Sequence, residues 1–261
     1  MRVILAIACA LVPITFGQFA NTRIESNGDM TTIMYSGLDY MGPAVMGKPY
    51  SAEEVSERVE TLANGTHIRN NPPARKIWRD FDGRTRTERT RNFGRPAEKA
   101  GFVIVEIQDP VAGFFYVLDQ ENKVAHRLAM PERPAASPPV LRTGVAVPAA
   151  PRKSSGESNY ERLGPETIEG VTATGYRSTR TMPVGEIGND APLVSTSEYW
   201  RSTDLDVSVL SKYSDPRMGD QVTRLTNISR TAPEPSLFMP PPDYKVVEEK
   251  DSFSILYKTQ R

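Results

Sequence analysis

From Lys76 to Leu128, apolar and polar positions come in short runs broken by turn residues. Lys76-Ile77-Trp78-Arg79-Asp80, a turn at Asp82-Gly83 and the stretch Arg84 to Arg91 read as a hairpin. Phe102 to Ile107 is a strongly apolar strand. Asp109-Pro110-Val111-Ala112-Gly113 turns it, and Phe114 to Leu118 returns. Asp119-Gln120-Glu121-Asn122 turns again into Lys123 to Leu128. A second series starts at Tyr160. Thr167 to Val171 turns tightly into Thr174 to Thr181, and Leu193 to Arg201, Val207 to Tyr213 and Gln221 to Ser229 follow. Pro235-Ser236-Leu237-Phe238 has room for one helical turn before Tyr244 to Val247. The pattern predicts roughly ten to twelve antiparallel strands and almost no helix, in a barrel, half-barrel or sandwich.

Ser51 to Leu62 reads two ways. Ser51 with Glu54 makes a helix capping box, and Ala52, Val55, Val59 and Leu62 share a helical face. The same residues also alternate, and Asn64-Gly65, a strong hairpin signal, follows them, which favours strand. Ile24 to Tyr35 has room for a strand. Met130 to Asn159 loses all period: Pro131, Pro134, Pro138, Pro139, Pro148 and Pro151 crowd it. It reads as a flexible insert of polyproline character, at about 131–159. The segment after Glu248 is charged, although Phe253 to Tyr257 could add a strand.

The first residues change the compartment. Arg2, the apolar run Val3 to Phe16, and Thr15 and Gly17 ahead of Gln18 have the layout of a secretory signal peptide. The expected organisation is a signal peptide over 1–17, one β domain over 18–247 carrying the Pro-rich insert, and a charged tail over 248–261. The expected location is periplasmic or secreted. Cys9, the only cysteine, would leave with the leader, so neither a disulfide scaffold nor a cysteine metal cage is expected. No other segment carries an apolar run long enough to span a bilayer.

Charge and candidate chemistry narrow the function. Lys plus Arg and Asp plus Glu are each 32, a balance that gives no electrostatic footprint for nucleic acid. The basic run Arg84, Arg86, Arg89, Arg91 and Arg95 alternates with Thr and Glu88, as the solvated face of a strand would. Gly42 to Lys48 fits G-x-x-x-x-G-K, but Pro49 stands where a P-loop needs Ser or Thr. Asp80-Phe81-Asp82-Gly83 echoes a calcium loop, yet its flanks are strands. The two histidines, His67 and His126, have no local partner at metal spacing, and no G-x-S-x-G elbow is present. No catalytic residue, metal or cofactor is expected.

Trp78-Arg79-Asp80-Phe81-Asp82-Gly83-Arg84-Thr85-Arg86 resembles a hairpin shared by uncharacterised exported bacterial proteins of an acidobacterial type. The resemblance continues in Ile107 to Gly113, Tyr116 to Asp119, Leu163-Gly164 with Ile168 to Val171, Ser211 to Arg217, Pro235 to Phe238 and Pro242-Asp243-Tyr244. The order of parts is similar to the LolA/LolB-like superfamily of periplasmic lipoprotein carriers. That resemblance implies an open antiparallel half-barrel whose concave face holds acyl chains, and helices that plug it; here only Ser51 to Leu62 could supply one. A curved sheet with one uncovered apolar face must hide it behind a ligand or a partner. Alternation offers Trp78, Phe102, Ile104, Phe115, Val117, Trp200, Val207 and Val209 as its lining. The expected function is an exported binding module for a lipid, acyl chain or lipoprotein. The alternative is a non-catalytic structural or protein-interaction domain of the envelope.

Overall fold

In the computed structural model, which describes residues 20–26, 30–38, 43–91, 101–131 and 157–258, the alternating runs become strands. The segment read as a signal peptide and all but the ends of the segment read as a Pro-rich insert lie outside the described residues. A hairpin comes first, β1 (Ala20–Ser26) and β2 (Met30–Leu38). Then come β3 (Tyr50–Thr61), β4 (His67–Asn70), β5 (Arg75–Arg79), β6 (Thr85–Arg91), β7 (Phe102–Asp109), β8 (Phe114–Asp119) and β9 (Val124–Ala129). After the insert follow β10 (Glu157–Ile168), β11 (Val171–Met182), β12 (Leu193–Ser202), β13 (Val207–Asp215) and β14 (Gly219–Ser229). A 3-10 turn (Pro235–Phe238), β15 (Lys245–Glu248) and β16 (Phe253–Lys258) complete the order. Of Ser51 to Leu62, all but Leu62 is strand, so no helix plugs the sheet among the described residues.

Turn chemistry sets the connections. Between β10 and β11 the loop is Glu169-Gly170, with φ of 50° and 75°. Positive φ at both positions is what a two-residue hairpin loop requires, and glycine adopts it without a Cβ clash. At the β5–β6 turn the Asp80 carboxylate accepts from the backbone N–H of Asp82 and Arg84 at 3.0 and 2.9 Å. At Gly175 the requirement is space: a Cβ there would meet the Trp200 ring at 2.8 Å.

One sheet of 13 strands runs β10-β11-β12-β13-β14-β3-β5-β6-β7-β8-β9-β15, with β4 added on β3. Its edge strands, β10 and β15, do not pair with each other, so it is an open half-barrel. β3 is the seam. Along one edge it pairs with β14, and along the other with β5 and then β4, which joins the meander before the insert to the one after it. The meander is antiparallel except at its end, where β15 pairs parallel with β9. The expectation of a purely antiparallel meander is corrected there: the long connection through Pro235–Phe238 carries the chain back along the outside before β15 starts. A second sheet, β1-β2-β16, is built from the two ends of the described chain.

Three apolar clusters hold these parts. Ile33, Tyr35, Ile255 and Tyr257 of the small sheet pack on Ile104, Phe115, Val117 and Leu128 of β7–β9. On the opposite face of those strands Val105, Ile107, Tyr116, Leu118 and Ala125 lie under Phe238. This explains why both alternation sets of Phe102 to Ile107 in β7 are apolar apart from Glu106: both faces of the strand are covered. Each fully buried side chain of this kind contributes roughly 1.5–3 kcal/mol. The third cluster gathers Tyr50, Ala52, Ile77, Trp200, Val207, Val209 and Leu225 around the β12–β13 turn.

Candidate functional site

The register assigns side chains to the face on which the small sheet sits, here the inner face. Thr87 is opposite Glu106, Arg89 opposite Ile104 and Arg91 opposite Phe102. Glu106 is opposite Val117, and Phe115 opposite Leu128. Ile77 is opposite both Ala52 and Thr87. The inner face is therefore apolar at β7–β9, apolar again near Tyr50 and Ile77, and charged between.

The charged stripe is buried and mostly paired. Arg89 donates to Glu106 at 2.7 Å, with side-chain exposures of 14% and 5%. Thr87 adds a long hydrogen bond to the same carboxylate at 3.4 Å. Arg75 donates to Glu54 at 2.8 Å. Burial pulls the Glu54 carboxyl above the usual carboxylate range, against the pull of Arg75. Arg91 completes the stripe. Burial pulls its pKa down, and the like charge of Arg89 pulls the same way.

The small sheet closes the stripe with two phenols. Tyr35 stacks on Phe253 at 4.8 Å, and Tyr257 stacks on Phe102 at 4.0 Å. Burial raises the pKa of both phenols, with Glu106 adding to the rise at each. Neither hydroxyl has a hydrogen-bond partner among the described residues. At the far side of the small sheet, His126 stacks on Phe253 at 4.5 Å and its Nδ1 lies 2.7 Å from Glu249 Oε1.

The eight residues offered by alternation fall into three places. Phe102, Ile104, Phe115 and Val117 lie on the inner face, packed beneath the small sheet. Trp200, Val207 and Val209 belong to the cluster around Tyr50. Trp78 packs on the other face, against the cluster that includes Phe238. The pattern missed Glu54, Arg75, Arg89, Arg91, Glu106, Tyr35 and Tyr257. Arg95 lies outside the described residues; the rest of the arginine run is not a solvated face, since Arg86 and Arg89 are 12% and 14% exposed and carry carboxylate partners. The missed signal was Glu106, a lone acid inside an apolar strand, which demands a cation from a neighbouring strand.

The clefts elsewhere are explained by structure. One of about 70 Å³ is lined by Arg180, Met182, Leu193, Ser195, Tyr213, Asp215 and Arg217. Its buried Asp215 accepts from Arg217 Nε and Nη2 and from the Tyr213 hydroxyl, which locks the β13–β14 turn. Arg217 holds the Asp215 carboxyl down at about 2. Among the described residues no group of three or more His, Cys, Asp or Glu could hold a metal ion. Nor is any helix among them long and apolar enough to cross a membrane.

No protein-family model matches the chain, and no curated protein matches it. Solved structures are similar to it in fold. One is an uncharacterized conserved protein from Thermus thermophilus, at 10% identity and TM-score 0.37, covering 78% of this chain and 91% of that one. A second is MucB in complex with MucA(peri), at 14% identity and TM-score 0.37, covering 77% of this chain and 57% of that one. A third is a putative outer membrane lipoprotein-sorting protein domain from Vibrio parahaemolyticus, at 12% identity and TM-score 0.29, covering 75% of this chain and 91% of that one.

Proposed function

We propose that the chain is a non-catalytic, exported binding module that receives an acyl chain, free or carried by a lipid or lipoprotein, between its two sheets. One observation carries this reading. The small sheet meets the large one through side chains alone, with no strand pairing between them among the described residues, over a layer of Ile33, Ile104, Phe115, Val117 and Ile255. Two apolar layers joined in this way can part to admit a chain without breaking a hydrogen-bond ladder. Each buried CH₂ contributes about 0.8 kcal/mol, so a long chain reaches roughly micromolar affinity after ordering costs of several kcal/mol. The leader supports delivery to the periplasm or beyond.

The test is displacement of the neutral dye N-phenyl-1-naphthylamine by acyl ligands of increasing length, with native mass spectrometry of protein recovered from a bacterial periplasm. Affinity should rise with each added CH₂, and a lipid should co-purify. Absence of any acyl binding contradicts the reading.

A second reading has its own support. β10 is a 12-residue edge strand whose outer side pairs with nothing among the described residues, and Tyr160 on it is 64% exposed. Such an edge is a template for a partner's strand, as an envelope interaction domain would use.

A further inference from the structure

We infer that the boundary between the two sheets is an anion site, made by Arg89, Arg91 and the Tyr35 hydroxyl, that takes the carboxylate or phosphate head of an acyl ligand. The inference rests on the acyl-binding reading and adds the class of ligand to it.

The charge balance comes first. The inner-face stripe holds Arg75, Arg89 and Arg91 against Glu54 and Glu106. Glu54 is committed to Arg75 at 2.8 Å and Glu106 to Arg89 at 2.7 Å. No ion pair engages Arg91 among the described residues. Arg91 is half-buried with its Nε shielded, and a guanidinium held partly out of water without a committed counter-charge favours an anion there.

The hydrogen-bond balance agrees. Among the described residues, the Nε of Arg89, the Nε of Arg91 and the hydroxyls of Tyr35 and Tyr257 are buried without a partner, as is the Nε of Arg127 on the other face. Each of these groups can donate. No buried carboxylate, amide or carbonyl oxygen of a side chain stands among the unpartnered atoms. Buried polar groups in folded proteins are nearly always bonded, so what is missing is an acceptor. Tyr35 is only 1% exposed, and its phenol lies within electrostatic reach of Glu106, Arg89 and Arg91.

The tail has an adjoining path. Arg91 is in register with Phe102 and Arg89 with Ile104. Ile104 belongs to the apolar layer with Phe115 and Val117. A head at the two guanidinium groups therefore sends its chain directly into the space between the sheets.

The experiment compares dodecanoate, dodecyl phosphate and dodecanol as displacers of the neutral dye, with inorganic phosphate as a control. Hydrogen bonds to charged groups predict that both anions bind about ten- to a hundredfold tighter than the alcohol. Tyr35→Phe and Arg91→Gln should each move the anion-to-alcohol ratio toward one. Tyr35→Phe should not lower the melting temperature, because its hydroxyl bonds to nothing in the free protein; should it fail to fold, Arg91→Gln still reads the ratio. Equal affinity for dodecanoate and dodecanol overturns the anion site and leaves the acyl reading standing. Failure of all three acyl compounds overturns both. Inorganic phosphate competing as well as dodecyl phosphate, with dependence on Arg91, would make this a small-anion site and overturn the amphiphile.

Discussion

The strands β7–β9 and the strands β10–β13 belong to one continuous sheet, yet they are stabilised in different ways. In β8 every residue after Phe114 is buried, while in β12 only Trp200 and Ser202 are. The first region is a middle layer, with the small sheet on one face and the Pro235–Phe238 segment on the other. The second is held near the β12–β13 turn by the cluster around Tyr50, and beyond it by cross-strand pairs. Glu161 pairs with Arg177, Arg177 with Glu198, and Glu198 with Lys212, each directly opposite in register. Burial raises the Glu198 carboxyl, but hydrogen bonds from Trp200, Arg177 and Lys212 outweigh it and hold the pKa below its usual value. Tyr176 and Tyr199 stack on the other face at 5.3 Å. Half-exposed pairs of this kind are each worth about 0.2–1 kcal/mol. The contrast shows that the covering elements, not the strand pairing, decide where this sheet is buried and where it stays open to solvent.

Substitutions should separate the two regions. The largest effect is expected from Val117→Asp. Val117 is 0% exposed between Glu106 and His126 in register, so the new carboxylate is buried beside an existing one. It should cost several kcal/mol and leave no cooperative urea transition. Retention of wild-type stability would show that the two sheets are not packed as described.

Next in size is Glu106→Gln, which strands the Arg89 guanidinium in a site 14% exposed. Loss of one partner from a buried pair costs about 3–5 kcal/mol, so the urea midpoint should fall sharply. Glu198→Gln, in the other region, should cost under about 1 kcal/mol because its partners are 42% and 51% exposed. Equal losses from the two variants would erase the distinction between the regions.

An effect between those of Glu106→Gln and Glu198→Gln concerns acid. Asp215 has its folded pKa held at about 2, below the ordinary 3.8. A depressed carboxylate stabilises fully above its unfolded pKa, and that contribution fades as pH falls from about 4 toward 2. After discounting for solvent around Arg217, the loss is about 1–2 kcal/mol. Thermal melts of the wild type between pH 5 and pH 2 should show it, and Asp215→Asn should flatten that limb. An unchanged acid limb in the variant would assign the loss to other carboxylates.

Much of the large sheet is legible in the sequence because it is local. Asp82-Gly83 and Asn64-Gly65 mark hairpins, and the run Phe102 to Ile107 announces a strand covered on both faces. The small sheet is not legible, since β16 pairs with β2 across most of the chain length and neither segment has a period that names the other. For the same reason Phe253 to Tyr257 reads as a strand option in a charged tail with no partner named, whereas in the structure it is β16, with Ile255 and Tyr257 buried. Trp78 is offered as a lining residue by alternation, which does not say which of the two faces is the inner one. Its register opposite Ser51 and Arg86 puts it on the other face. The charged stripe escapes because alternating Thr and Arg looks the same whether the arginines meet water or a buried glutamate.

The acyl-binding reading makes the small sheet the moving layer and the β10–β13 region a built-in control. The most direct test is amide hydrogen exchange with and without dodecanoate, read strand by strand. Ligand bound between the sheets should change protection in β2, β16 and β7–β8 and leave β11–β13 unchanged. Saturation with dodecanoate that alters β11–β13 alone, or no strand at all, would contradict it.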